Sequence, residues 1–407
     1  VLALAVSDKT IDKESEKLPN GDWTLVGLLG IRDEVRPESV TAIREVHSAG
    51  VQVVMITGDR KDTACAIAKE AGIIDIPDAV TLTSDELSQM SDDDIKKILP
   101  RLRVISRALP SDKSRLVRIA QELDLVAGMT GDGVNDSPAL KKADVGFAMG
   151  GGTEVAKEAS DIVILDDNFN SIEKAILYGR TIFNSIRKFI IFQLTINVAA
   201  VAVSFICPLL GMDNPLSITQ ILWVNLVMDT LAALAFGGEP ALSRYMQEKP
   251  KSRQEPIVSK YMWSEIFTGA AWALILSMSF LLVSPIQSVF IPEQTNPEYD
   301  YLIEYDAEDP FIYVPNPEHD AVITKADGSE TTKFAALFSG YFALFIFIAV
   351  FNAFNARTER MNLFDNIGRN TGFLKILGII AVVQVLMIYV GGKVMNCVPL
   401  NGTQWLV

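Results

Sequence analysis

The spacing of apolar and polar positions changes character near residue 170. From Val1 to about Asp167, short β-branched and apolar runs alternate with stretches whose apolar residues recur every three or four positions. The runs Val1–Val6, Leu25–Ile31, Val51–Thr57, Arg103–Ser106, Leu125–Thr130, Val145–Ala148 and Ile162–Leu165 predict strands, and helices are expected to begin near Pro37, Asp62, Ser111 and Thr153. That alternation predicts an open, mostly parallel α/β sheet whose ligands sit beyond the C-terminal ends of its strands.

Further on the pattern belongs to a different solvent. Ile172–Lys188 is amphipathic, with Lys174, Arg180, Arg187 and Lys188 among apolar residues, and the chain is almost wholly apolar from Phe189 to Leu210. One long helix, 172–210, is expected to leave the soluble domain as a stalk and enter a bilayer. Further spans are expected at 217–236, 262–283, 334–354 and 373–390, which makes five. The loop Gly237–Lys260 carries Arg244, Lys249, Lys251, Arg253 and Lys260, and the loop Ala356–Lys375 carries Arg357, Arg360, Arg369 and Lys375. Both are therefore expected on the cytoplasmic side with the soluble domain, and the acid-rich loop Ser284–Lys333 on the other.

Composition sharpens this division. The 407 residues are 49% hydrophobic and 21% charged, an average that looks globular only because charges crowd the first half and apolar runs the second. A net charge of -14 argues against a nucleic-acid partner, which needs a basic face. Cys65, Cys207 and Cys397 are too scattered for a disulfide framework or a metal knuckle. The opening VLALAV soon meets polar sequence and reads as a strand rather than a targeting segment.

Candidate chemistry centres on Thr130–Pro138, TGDGVNDSP, which follows an apolar run and precedes a helical pattern. Asp132 and Asp136 leave the C-terminal edge of a strand with glycines between them, so carboxylate and backbone oxygens can approach a hard cation such as Mg2+. A lone GDG reads equally as a surface turn. Taken singly, Asp33, and Thr57 with Asp59, read first as helix caps, and Lys113 as a solvated lysine. Together, a hydroxyl and amides after one strand, a lysine at a helix start and two acids after a third strand supply phosphate donors, a charge clamp and metal ligands at one sheet edge. Within the spans, Asn197, Asn225 and Asp229 stand in otherwise apolar sequence. Asn225 and Asp229 are four apart, hence on one helical face, and amide with carboxylate oxygens suit a dehydrated hard cation such as Ca2+; helix-packing glue is the competing reading.

The order TGD at Thr57–Asp59, SRALPSDKS at Ser106–Ser114 and the long string Met129–Asp167 resembles the phosphorylation domain of P-type ATPases, part of the haloacid-dehalogenase-like superfamily. The resemblance implies ATP and Mg2+ as cofactors, with Asp132 the Mg2+ ligand and Asp136 in support. It implies that Thr57 and Gly58 hold the phosphoryl group and that Lys113 neutralises it. Asp59, Arg107 and Asn135 would contact nucleotide or the phosphorylated site, and Asp33 in RDEVRPE resembles the acid of the family's hinge motif. The family's phosphorylated DKTGT motif is not in this sequence. The DKT at Asp8–Thr10 is followed by Ile11 and Asp12 and is rejected as the nucleophile. The expected organisation is 1–20 as the end of a nucleotide-binding domain and hinge, 21–170 as the phosphorylation domain, and 171–407 as a transmembrane bundle. The chain is expected to be the C-terminal part of a pump, partnered by the missing N-terminal part.

QLTINVAAVA at 193–202, LWVNLVMDTLAAL at 222–234 and VFNAFNARTERMNLFDNIGRN at 350–370 resemble the fifth, sixth and eighth helices of Ca2+-transporting P-type ATPases, the plasma-membrane subfamily above all. The resemblance places Asn197, Asn225 and Asp229 at Ca2+ positions. Where two-calcium pumps carry a glutamate and a hydroxyl, this chain has Ala200 and Met228, so one Ca2+ per cycle is expected. A pump for Mn2+, Na+ or H+, and a non-catalytic membrane fragment, are the alternatives.

Overall fold

The computed structural model describes residues 2–7, 23–30, 34–291, 322–324, 330–332, 334–358, 362–364 and 367–407. Asp33 and the DKT at Asp8–Thr10 lie outside the described residues, as does most of the acidic loop. The chain divides into two compact units, residues 1–175 with 247–253, and residues 176–246 with 254–407.

In the first unit, β1 (Leu2–Val6) pairs antiparallel with β2 (Thr24–Leu29). There follow α1 (Pro37–Ser48), β3 (Met55–Ile56), α2 (Lys61–Glu70), β4 (Val80–Thr83), the short helices α3 (Ser84–Ser88) and α4 (Asp92–Ile98), β5 (Leu102–Ser106) and α5 (Pro110–Glu122). The unit continues through β6 (Gly128–Gly131), α6 (Ser137–Lys142), β7 (Val145–Met149), α7 (Glu154–Ala159) and β8 (Ile162–Ile164). The expected parallel sheet is present as two three-stranded parallel sheets, in the orders β3-β5-β4 and β6-β7-β8.

Central strands in such sheets are covered on both faces and so read as continuous apolar runs. All five residues of β5 are buried: Val104 packs with Ile43, Ala64 and Ala68 from α1 and α2, while Leu102 and Ile105 pack with Ile95, Leu116 and Ile119 from α4 and α5. In β7, Ala148 joins Leu140 and Ala156, and its neighbour Phe147 turns the other way to Ile164.

The expected strand Val51–Thr57 shrinks to two residues because the Gln52 side chain supplants the ladder, its Nε2 donating to Leu102 O at 2.7 Å and Leu99 O at 2.8 Å. Strand β4 escaped the sequence reading since VTLT is short and only half-buried; α3 and α4 follow it, capped by the Thr83 and Ser91 hydroxyls.

Helix α8 (Phe169–Leu209) runs 41 residues across the boundary between the units. The second unit then contains α9 (Ile218–Trp223), a π turn over Val224–Met228, α10 (Asp229–Gly237), α11 (Lys260–Leu282) and α12 (Ser284–Phe290). A two-stranded pair, β9 (Val322–Thr324) and β10 (Glu330–Thr332), precedes α13 (Ala335–Arg357) and α14 (Thr371–Val390), and the short α15 (Gly392–Met395) and α16 (Gly402–Leu406) close the chain. Among the described residues five helices are long and apolar enough to cross a membrane: Phe169–Leu209, Ile218–Gly237, Lys260–Leu282, Ala335–Arg357 and Thr371–Val390. They share one core, in which Phe236 lies 5.7 Å from both Phe192 and Phe373 and Phe354 lies 5.5 Å from Phe373, so α8, α10, α13 and α14 meet through aromatic rings. Val201, Phe205, Leu222, Ile275 and Ile379 point outward, where only lipid makes their exposure favourable.

Candidate functional sites in the two units

In the first unit the C-terminal ends of β3, β5 and β6 present the predicted residues. The turns after β3 and β5 are stitched by backbone hydrogen bonds: Thr57 N donates to Ile105 O, Arg107 N to Asp59 O and Ala108 N to Thr57 O, each 3.0 Å. Arg107 holds a left-handed φ of 51°, a conformation unfavourable for a residue with a Cβ and kept here by those stitches. The Thr57 hydroxyl donates to Asp59 Oδ2 at 3.0 Å and accepts from Asp59 N at 3.2 Å, so it sits in its own turn with Gly58 and Asp59 exposed beside it.

Lys113, in the first turn and a half of α5, reaches across to Asp136 Oδ1 at 2.5 Å and thereby ties the end of the β5 sheet to the end of the β6 sheet. Asp136 is 6% exposed, and its second oxygen accepts from Asp132 N at 3.3 Å and Gly133 N at 3.4 Å. Both its oxygens are therefore committed to holding the turn, whereas the Asp132 and Asn135 side chains are exposed. The glycines of TGDG and GGG follow from this packing. A Cβ on Gly131 would lie 2.8 Å from Asp136 Cγ, and one on Gly152 would lie 2.8 Å from Asp132 O, which itself accepts from Thr153 N.

The chemistry of this donor set fits Mg2+ in its usual mode, one or two carboxylates plus water and phosphate oxygens rather than a closed protein cage. Among the described residues no three His, Cys, Asp or Glu side chains cluster into a ready metal site. Asp132 is the residue that would hold the ion, and Asp136 would act only through the turn it holds.

In the second unit, Asp229 opens α10 at 6% exposure. Among the described residues its carboxylate has no cationic partner, and its one side-chain hydrogen bond comes from Gln193 Nε2 to Oδ2 at 3.1 Å. An ionised carboxylate buried with one neutral donor is a costly arrangement that a bound cation would relieve. Asn197 is half-buried on α8, one turn after Gln193. Asn225 is exposed, which departs from the expectation that it shares a face with Asp229. The intervening π turn pairs each residue with the fifth along instead of the fourth, so the two side chains no longer stack. Sequence reasoning also missed Gln193; its amide in an otherwise apolar span was the available signal.

Comparison with known proteins completes the assignment. Residues 3–144 and 122–176 match models of haloacid dehalogenase-like hydrolases, and residues 213–407 match the C-terminus of cation transporting ATPases. The chain belongs to the P-type cation-transporting ATPases. Within that class it resembles plasma membrane calcium-transporting ATPases. It is 39% identical to type 3 of Rattus norvegicus over 99% of this chain, 39% to type 2 of Oreochromis mossambicus over 95%, and 38% to type 1 of Homo sapiens over 94%. The chain spans 31%, 33% and 30% of those relatives' own lengths.

Proposed function

We propose that this chain is the C-terminal part of a plasma-membrane pump that uses ATP to move Ca2+ across the membrane, one ion per cycle, through an aspartyl phosphate. The observation carrying this reading is Asp229, a buried carboxylate without a cationic partner among the described residues of an apolar bundle. Ca2+ takes oxygen ligands, and the Asp229 carboxylate with the amide oxygen of Asn197 is a set of the right hardness, to which Asn225, exposed across the π turn, adds its oxygen only by turning inward. With Ala200 and Met228 contributing no oxygen side chain, the set supplies one carboxylate and so one ion site.

At the phosphorylation end, the Thr57 hydroxyl turns from Asp59 toward a phosphoryl oxygen, and the Gly58 amide donates beside it. Lys113 offsets the phosphoryl charge while Asp136 fixes its ammonium in place. Asp59, Arg107 and Asn135, exposed around this edge, contact nucleotide or the phosphorylated segment. Mg2+ at Asp132, when bound, neutralises developing charge on the phosphoryl oxygens. The acceptor aspartate comes from the remaining part of the pump.

Sealed vesicles containing the complete pump test this directly. ATP-driven uptake of 45Ca2+ is expected, with equilibrium binding saturating at one Ca2+ per pump. Uptake of Mn2+ or Na+ with exclusion of Ca2+, or two saturable Ca2+ sites, would contradict the ion or the stoichiometry respectively.

A further inference from the structure

Gln193 is the one donor to the buried carboxylate of Asp229 among the described residues, and the two lie on different helices, α8 and α10. We propose that Gln193 is a positioning residue for the ion site: its amide fixes Asp229 so that the other carboxylate oxygen faces the cation. This rests on the reading of Asp229 as a Ca2+ ligand.

The argument is one of donors and acceptors. An ionised carboxylate accepts only, so glutamine presents its NH2 group to Asp229, and its carbonyl Oε1, in the same amide plane, points elsewhere. The hydrogen bond occupies Oδ2 at 3.1 Å and no side chain among the described residues donates to Oδ1. The carboxylate therefore has one oxygen held and one available. A bidentate or freely rotating carboxylate would need both. Gln193 also stands four residues before Asn197 on the same helix, an axial step of about 6 Å, so the held carboxylate and the Asn197 amide belong to neighbouring turns of one face. A glutamine is the economical choice here. A lysine or arginine would neutralise Asp229 and compete with the cation, and an aliphatic residue would leave the carboxylate free to turn away.

The test uses the complete pump and reads phosphoenzyme formed from radiolabelled ATP against free Ca2+, alongside labelling from inorganic phosphate without Ca2+. Gln193→Met keeps length and helix preference but has no donor, whereas Gln193→His retains a ring N–H. The Met variant is expected to need about tenfold more Ca2+ for half-maximal labelling, as for loss of one hydrogen bond to a charged group. Its maximal labelling and its labelling from phosphate should stay within about twofold of wild type, and the His variant within about threefold of wild type in Ca2+ dependence. The proposal is overturned if Met leaves the Ca2+ dependence unchanged, if Met and His shift it equally, or if Met abolishes both kinds of labelling. Should the Met variant not fold, Gln193→Ala is read by the same criteria. Wild type and Asp229→Asn in the same series separate the two readings. If wild type labels without Ca2+, the functional reading fails. If wild type needs Ca2+, Asp229→Asn does not label and Met matches wild type, only the role of Gln193 fails.

Discussion

Two side chains in the first unit have effects large enough to measure singly. Lys113→Met removes the cation from Asp136, whose side chain is 8% exposed and otherwise held by two long amide contacts. Breaking a fully buried pair costs 3–5 kcal/mol, and since the Lys113 side chain is 20% exposed the expected loss is about 2 kcal/mol. Phosphoenzyme formation should fall ~100-fold as the phosphoryl charge loses its counter-ion. Chemical denaturation and single-turnover labelling read the two effects separately. His47 gives a pH dependence. Burial pushes its imidazole below the usual 6.5, more than the Asp75 carboxylate at 3.5 Å can raise it, and Arg103 lowers it further. A group with a depressed folded pKa contributes stability above its unfolded value, and that contribution is lost as pH falls through the folded one. Amide exchange protection of α1 should therefore weaken below about pH 6.5 and become flatter with pH in His47→Gln. At this scale the motifs singled out Asp132, Asp136 and Lys113 as candidates but could not show that Asp136 is committed to Lys113, because only packing brings those two side chains together.

Helices of the second unit are joined by a buried polar hub. Glu239, just past α10, is paired with Lys188 of α8 and Arg357 of α13, each at 3.4 Å, and accepts from Asn370, the N-cap of α14, at 3.0 Å. The Glu239 side chain is 4% exposed, so Glu239→Gln removes the counter-charge shared by Lys188 and Arg357 where three helix ends meet the middle of α8. Loss of about 3 kcal/mol is expected, visible as a lower melting temperature in detergent, and an unchanged melting temperature would show that the hub contributes specificity rather than stability. The spans themselves were legible, since twenty apolar residues in a row have one physical solution. What periodicity could not disclose was the π turn at Val224–Met228, which has neither Pro nor Gly to mark it and which separates Asn225 from Asp229. Strand β4 was hidden for a related reason: its place in the sheet comes from pairing with β5, not from its own four residues.

Across the whole molecule, charge and packing agree on sidedness. Residues 247–253 of the basic loop belong to the first unit, where Arg253 pairs with Asp144 at 2.8 Å. The excess of Lys and Arg in that loop predicts that it faces the cytoplasm. A single cysteine placed at Lys251 should react with an impermeant thiol reagent only from the cytoplasmic face. One placed at Val283, beyond the following span, should react only from the opposite face. Two labels on the same face would contradict five spans. The α/β alternation foretold the parallel strands and helices of the first unit, while the split into two three-stranded sheets arises from tertiary pairing that no local pattern encodes.

The central claim is that an ion site at Asp229 controls chemistry at the phosphorylation edge, and one comparison addresses it most directly. Phosphoenzyme formed from radiolabelled ATP should depend on Ca2+ in the complete wild-type pump and be absent from Asp229→Asn across the same Ca2+ range. Labelling from inorganic phosphate should persist in both. Labelling that ignores Ca2+, or that survives the loss of this carboxylate, would contradict the account.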